Sequence, residues 1–159
     1  MSEKAIRSRA YPGYFSSKLE NYISLSKPRL LASVVLSAFL GFVLPMTLSN
    51  TVLQLIYLLF GTAFMGGGAN ALNQWMEQVP DSIMNRTKNR VLPMGKLSEK
   101  EAMIFGIVIS AVGFFVLWFG NNPLTAGLGL LTILTYILVY TPLKQKTFTN
   151  TWFGGITGA

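Results

Sequence analysis

Two long stretches without a charged side chain, residues 30–76 and 102–143, constrain this chain more than any other feature. Each is about twice the roughly 20 residues that an α-helix needs to cross the hydrocarbon core of a bilayer. Each therefore reads as two spans joined by a turn. Composition agrees, since the 159 residues are 51% hydrophobic and only 12% charged, against about 25% charged in ordinary soluble domains. The expected fold is all-α, a polytopic transmembrane helical bundle of four spans plus the start of a fifth.

Local signals place the spans. Lys27-Pro28-Arg29 opens helix one, expected over about residues 28–48, and the first hairpin turns near residues 45–51. Helix two is expected over 51–78, with Gly66-Gly67-Gly68-Ala69 letting a neighbouring backbone approach closely. Pro80 should break or kink it near Met76, because the ring clashes with the carbonyl four residues back. Ser98 and Glu101 form a capping box that starts helix three, about 99–119. Asn122 caps helix four, about 123–143, with Pro123 at the first helical position, where its missing N–H leaves nothing unsatisfied. Trp75, Trp118 and Tyr140 fall near span ends, where aromatic belts form. The seven methionines read as core filler.

Residues 1–26 form an N-terminal segment. From Phe15 the apolar positions Leu19, Tyr22 and Ile23 follow helical spacing with Ser16, Lys18, Glu20 and Asn21 opposite, which predicts a short helix on the membrane surface. Residues 27–159 form the membrane domain. Trp152 begins another Gly-rich apolar segment that stops far short of a span. The expectation is the front part of a longer membrane protein or a product cut short.

The net charge of +7 would suit nucleic acid, but its distribution argues against that partner. All thirteen Lys and Arg lie in residues 1–29, 86–100 and 144–146, the segments that four spans put on one side of the membrane. Both intervening turns are uncharged. By the positive-inside rule the N-terminus, the 73–100 loop and Lys144 face the cytoplasm. The basic side chains there also meet anionic headgroups of the lipid bilayer. No cysteine and no histidine occurs, which excludes a disulfide framework, thiolate catalysis, a Ser-His-Asp triad and a zinc site of ordinary type. Any metal must be held by oxygen, which favours Mg²⁺.

Between the two apolar stretches, residues 73–93 hold two acidic and three basic side chains. Asn73, Glu77 and Asp81 are spaced i, i+4 and i+8, which puts them on one face of a helix, one turn apart. Their oxygens would suit Mg²⁺ bridged to a diphosphate, with other coordination positions left to water and phosphate. The competing reading is an ordinary helix end, with Glu77 meeting a headgroup-level lysine and Asp81 capping a short helix that begins at Ser82. Spacing alone weighs the two equally. Arg86 and Arg90 are four apart, and guanidinium forks suit paired phosphate or carboxylate oxygens. As lone arginines near a membrane they more often set topology. Their nearness to Glu77 and Asp81 raises them, because carboxylates alone repel a diphosphate and added cations reverse the sign.

The pattern NxxxExxxDxxMxRTxxR, carried by Asn73, Glu77, Asp81, Met84, Arg86, Thr87 and Arg90, resembles the UbiA superfamily of membrane prenyltransferases and, within it, the protohaem IX farnesyltransferases. Lys27-Pro28-Arg29, Asn122-Pro123-Leu124, Tyr140-Thr141-Pro142-Leu143-Lys144 and Asn150-Thr151 with Gly154 and Gly158 support the likeness. The resemblance implies transfer of a farnesyl group from farnesyl diphosphate to a vinyl group of haem b, giving haem O. It implies that Asn73, Glu77 and Asp81 bind diphosphate through Mg²⁺ and act in catalysis. Arg86, Lys88 and Arg90 would contact substrate, as phosphate or as haem propionates. The resemblance also implies residence in the bacterial cytoplasmic membrane, favoured over the mitochondrial inner membrane, and association with haem A synthase or oxidase assembly proteins. Members of the family are expected to have nine helices, with a second acidic motif near the end of the sixth. That motif is missing here, so the chain alone is expected to be inactive. Gln78-Val79-Pro80 also departs from the Asp-rich motif of many members. Two rivals remain, a UbiA-type enzyme with a quinone or aromatic acceptor and a four-span transporter or assembly subunit using Glu77 as an ion site. Against the transporter, no acid lies deeper in any span.

Overall fold

A computed structural model of the chain describes residues 18–45 and 51–144. The first-hairpin residues 46–50, the N-terminal arm and the apolar tail read as the start of a fifth span lie outside the described residues. What is described is helical: α1 (Lys18–Leu25), α2 (Pro28–Val43), α3 (Val52–Met76), α4 (Gln78–Ile83), α5 (Glu99–Gly120), α6 (Pro123–Leu134), a π-helical turn (Thr135–Tyr140) and α7 (Thr141–Lys144). No strand occurs among the described residues. Three helical stretches are long and apolar enough to cross a membrane, and a fourth is counted if α1 and α2, bent by 53°, form one broken span. The protein is an all-α membrane bundle.

The helix starts are fixed by the residues that signal them. Thr51 and Gln54 make a reciprocal capping box at α3, Ser98 and Glu101 make another at α5, and the Asn122 side chain accepts from the Thr125 amide at α6. Each pairs amide hydrogens that the first turn leaves free, which stabilises a helix by about 1 kcal/mol. The α1–α2 bend centres on Lys27, whose φ of 52° puts a non-glycine residue in the left-handed region. Pro28 follows at the first position of α2.

The core of the bundle is the α3–α5 pair, which meets through glycines. A methyl group built on Gly113 would lie 2.7 Å from the Met65 backbone nitrogen and 2.8 Å from the Gly61 carbonyl, and one on Gly68 would lie 2.7 Å from the Gly106 carbonyl. Only bare backbone fits there, the usual basis of close packing between membrane helices. Of the glycine run singled out in the sequence, Gly68 faces α5, while Gly66 and Gly67 face Leu31 and Ser26. One apolar cluster joins Met65, Leu117, Ala126 and Ile133; a second, at the charged end, joins Leu25, Ala71, Val91, Leu92, Leu97 and Ala102.

Three features differ from the sequence reading. Helix α1 buries Asn21 and Leu25, while Leu19 and Ile23 stay exposed, because its inner side is set by packing of Tyr22 on Phe105, ring centroids 4.8 Å apart. Trp75 packs against the second cluster as well as lying near a span end. Helix four spans the expected residues without a gap but is not α-helical throughout: ahead of Pro142 the backbone widens so that the Thr141 amide bonds the Tyr136 carbonyl, five residues back. Such single-turn π segments inside α-helices are rare and concentrate at functional positions. Among the described residues the only methionine classed with the buried core is Met65, at 4% exposure, and Met84 is exposed.

Candidate functional site

Helix α3 ends at Met76, where Pro80 removes a donor, but the helical register is not lost. The Glu77 amide bonds the Asn73 carbonyl at 2.9 Å and the Asp81 amide bonds the Glu77 carbonyl at 2.8 Å. Asn73, Glu77 and Asp81 therefore stay in line across the break. All three are buried, at 2%, 4% and 4% exposure. Asp81 sits inside the first turn of α4. It does not cap a helix starting at Ser82, because the helix already begins at Gln78.

Among the described residues, the cation that meets these carboxylates is Arg90. Its Nη1 forms an ion pair with Asp81 Oδ2 and lies 3.7 Å from Glu77 Oε2. The loop is folded to bring it there. The buried Thr87 hydroxyl donates to the Asp81 carbonyl at 3.1 Å, and the Arg90 amide donates to the Thr87 carbonyl at 2.9 Å. Val91 and Leu92 then anchor the chain in the apolar cluster. Arg86 and Lys88 point elsewhere: both are exposed, and Lys88 Nζ donates to Asn85 Oδ1 at 3.1 Å. Sequence spacing treats Arg86 and Arg90 alike, whereas the loop brings only Arg90 to the acids.

Asn73 connects the acids to a distant part of the chain. Its Nδ2 donates to Glu77 Oε2 at 3.1 Å, and its Oδ1 lies 3.0 Å from the hydroxyl of the buried Thr141. That hydroxyl also lies 2.9 Å from the Tyr136 carbonyl. It has one proton to donate, so the two acceptors share it. Thr141 reaches Asn73 through the π-helical turn, and the motif around it was visible in the sequence without its partner.

Two further α3 side chains went unnoticed. Asn70 Nδ2 donates to the Ser26 carbonyl at 3.0 Å, and Gln74 Nε2 donates to the Leu25 carbonyl at 2.7 Å. Set one turn apart, they satisfy carbonyls freed where α1 ends and so fix the α1–α2 bend to α3.

A cavity of about 400 Å³ lies between α2, α3, α5 and α6, lined mostly by apolar groups such as Leu31, Val34, Met65 and Ile133. Its polar lining includes Asn70 and Tyr136. Asn70 is one turn from Asn73, and the Tyr136 carbonyl bonds Thr141, so the cavity adjoins the acidic site through both helices.

The donor set is chemically suited to a hard divalent cation. Glu77, Asp81 and the Asn73 amide offer oxygen only, as Mg²⁺ prefers, and water and phosphate ordinarily complete its octahedron. Among the described residues no group of three acidic side chains converges, so two carboxylates are what this site brings. Arg90 and Thr141 engage these oxygens, and a metal would have to exchange with them.

Comparison with known proteins follows the same direction. The model of the UbiA prenyltransferase family matches residues 34–159. A protoheme IX farnesyltransferase of Solibacter usitatus is 39% identical over 150 residues, covering 89% of this chain and 51% of the relative. One of Myxococcus xanthus is 44% identical over 137 residues, covering 86% and 46%. A mitochondrial protoheme IX farnesyltransferase of Gibberella zeae is 41% identical over 147 residues, covering 86% and 29%. The chain thus spans about half the length of these bacterial relatives and less of the fungal one. No solved structure matches it.

Proposed function

Because the chain belongs to the UbiA prenyltransferase family, we propose that it carries the diphosphate-binding part of a membrane enzyme that moves a farnesyl group from farnesyl diphosphate to a vinyl group of haem b, giving haem O. The observation that carries the reading is a pair of buried carboxylates, Glu77 and Asp81, held beside Arg90 next to an apolar cavity. The names of the relatives favour haem over a quinone acceptor.

In this reading Asn73, Glu77 and Asp81 hold Mg²⁺, which supplies positive charge to a diphosphate leaving group. Arg90 adds a fork of N–H donors on the same side, and the exposed Arg86 and Lys88 draw anionic groups, phosphate or haem propionate, to the loop. The apolar cavity receives the isoprenoid tail and keeps water from an allylic carbon that becomes electron-poor. The membrane is the bacterial cytoplasmic membrane, with the 73–100 loop facing the cytoplasm. Haem A synthase or oxidase assembly proteins are the expected neighbours.

The test is Mg²⁺-dependent binding of farnesyl diphosphate by this chain in reconstituted liposomes, and transfer to haem b or to a quinone precursor by a chimera in which the chain is completed with the remaining half of a bacterial relative. Haem O detected by mass with haem b alone supports the assignment, and Glu77→Gln should abolish Mg²⁺-dependent retention of farnesyl diphosphate. Transfer to the quinone precursor but not to haem b would move the protein to another branch of the family.

A further inference from the structure

Glu77 and Asp81 are each 4% exposed, and among the described residues the cation they share is Arg90. Arg90 is different in kind from its partners. Its backbone is pinned on both sides, by the Thr87 turn before it and by the buried Val91 and Leu92 after it. Its side chain remains 24% exposed, so the guanidinium can swing while the main chain stays fixed. It pairs with the oxygens that the proposed function gives to a divalent cation.

We propose that Arg90 is an internal counter-cation that bars a bare divalent metal from Glu77 and Asp81 and yields the carboxylates only to a metal that arrives with a diphosphate. The inference rests on the metal–diphosphate reading and adds an order of binding to it. A metal alone must displace the guanidinium from the carboxylate oxygens without bringing it another anionic acceptor, and then sits a few ångströms from a like charge. Unlike charges attract and like charges repel by several kcal/mol at such distances even at an effective dielectric near 20. A metal with diphosphate brings the missing acceptor: the guanidinium turns from the carboxylates to phosphate oxygens, which it binds with equal geometric fitness. Positive charge stays beside the acids before and after the exchange, and the buried acids are never left uncompensated, the condition that makes breaking such a pair costly.

The experiment uses the chain in lipid nanodiscs, with Mn²⁺ as the probe for Mg²⁺, bound metal read by electron paramagnetic resonance, and inorganic pyrophosphate present or absent. The wild-type chain should bind Mn²⁺ at least about tenfold more tightly with pyrophosphate than without it, a coupling of about 1.4 kcal/mol. Arg90→Gln should move the two measurements in opposite directions. Mn²⁺ alone should bind about tenfold more tightly, as a neighbouring like charge is gone, and the gain from pyrophosphate should fall by about as much. Arg90→Lys keeps the charge and should keep binding of the bare metal weak. Equal Mn²⁺ affinity of the wild type with and without pyrophosphate overturns the proposal, and this needs only the unmodified chain. So does an Arg90→Gln variant that loses the pyrophosphate gain without taking up bare metal, since Arg90 would then be a phosphate ligand and nothing more. Glu77→Gln separates the levels: if it leaves Mn²⁺–pyrophosphate binding unchanged, the metal–diphosphate reading and this inference fail together. If it abolishes that binding while Arg90→Gln shows no crossing, the inference alone fails.

Discussion

Helix α3 meets α5 on one side and faces α2 and α6 on the other, and the two sides are built by opposite means. Against α5, glycines at 61, 68, 106 and 113 bring backbone to within contact of backbone, leaving no room for even one added methyl. Toward α2 and α6 the same helix lines a cavity of about 400 Å³ and, at its charged end, holds side-chain hydrogen bonds from Asn70, Asn73 and Gln74. Packing fixes the first side and polar pairing fixes the second. On the proposed function, with a large apolar tail and an anionic head to admit, one wall is fixed and the other has space.

The largest expected effect tests the polar side. Asp81→Ala removes the shorter of the two ion pairs of Arg90 but leaves it 3.7 Å from Glu77, so the loss is that of a hydrogen bond between charged groups, about 2–3 kcal/mol. Thermal unfolding in detergent measures it. On the packed side, Gly113→Ala puts a methyl against backbone atoms of Met65 and Gly61, and neither can step aside. About 2 kcal/mol should be lost, within the usual range for overpacking. If Gly113→Ala were neutral, the seam would be looser than its distances say, and the contrast between the two sides would weaken.

Smaller effects sharpen the contrast. Gln74→Leu keeps volume but orphans the buried Leu25 carbonyl, for a loss of about 1–2 kcal/mol, and should raise protease sensitivity at the α1–α2 bend. Thr141→Val should cost about 1 kcal/mol, with Thr141→Ser restoring it, and its readout is unfolding together with Mg²⁺-dependent retention of farnesyl diphosphate. The smallest change is Gly127→Ala, where nothing lies within 4 Å of the added carbon. There the gain in helix propensity is up to about 1 kcal/mol, and unfolding should be unchanged or slightly delayed.

What the sequence revealed of this molecule is what depends on near neighbours. The span starts at Ser98 and Asn122 were legible because a cap is a contact over three residues. The alignment of Asn73, Glu77 and Asp81 was legible for the same reason, since i, i+4 spacing survives a proline when the flanking backbone bonds persist. The choice of Arg90 over Arg86 was not, because it depends on how the loop turns back on the Asp81 carbonyl through Thr87. Nor were the Thr141–Asn73 and Gln74–Leu25 bonds, which join residues far apart in the chain. The helix-four reading missed the π-helical turn, since nothing in apolar periodicity distinguishes a five-residue step from a four-residue one. Asp81 as a cap was overturned by a helix that starts four residues earlier than Ser82.

The glycine seam also bears on how the molecule is made. It joins two spans that follow one another in the chain, so its closure needs no residue of α6. Glu77, Asp81 and Arg90 all lie in the link between those spans, and their ion pairs with one another form within the same hairpin. Domains and motifs that are complete early in synthesis fold early. The ion pairs of the acids with Arg90 thus draw only on the α3–α5 hairpin, whereas the chamber beside them also needs a later stretch of chain, with Thr141 fastening Asn73.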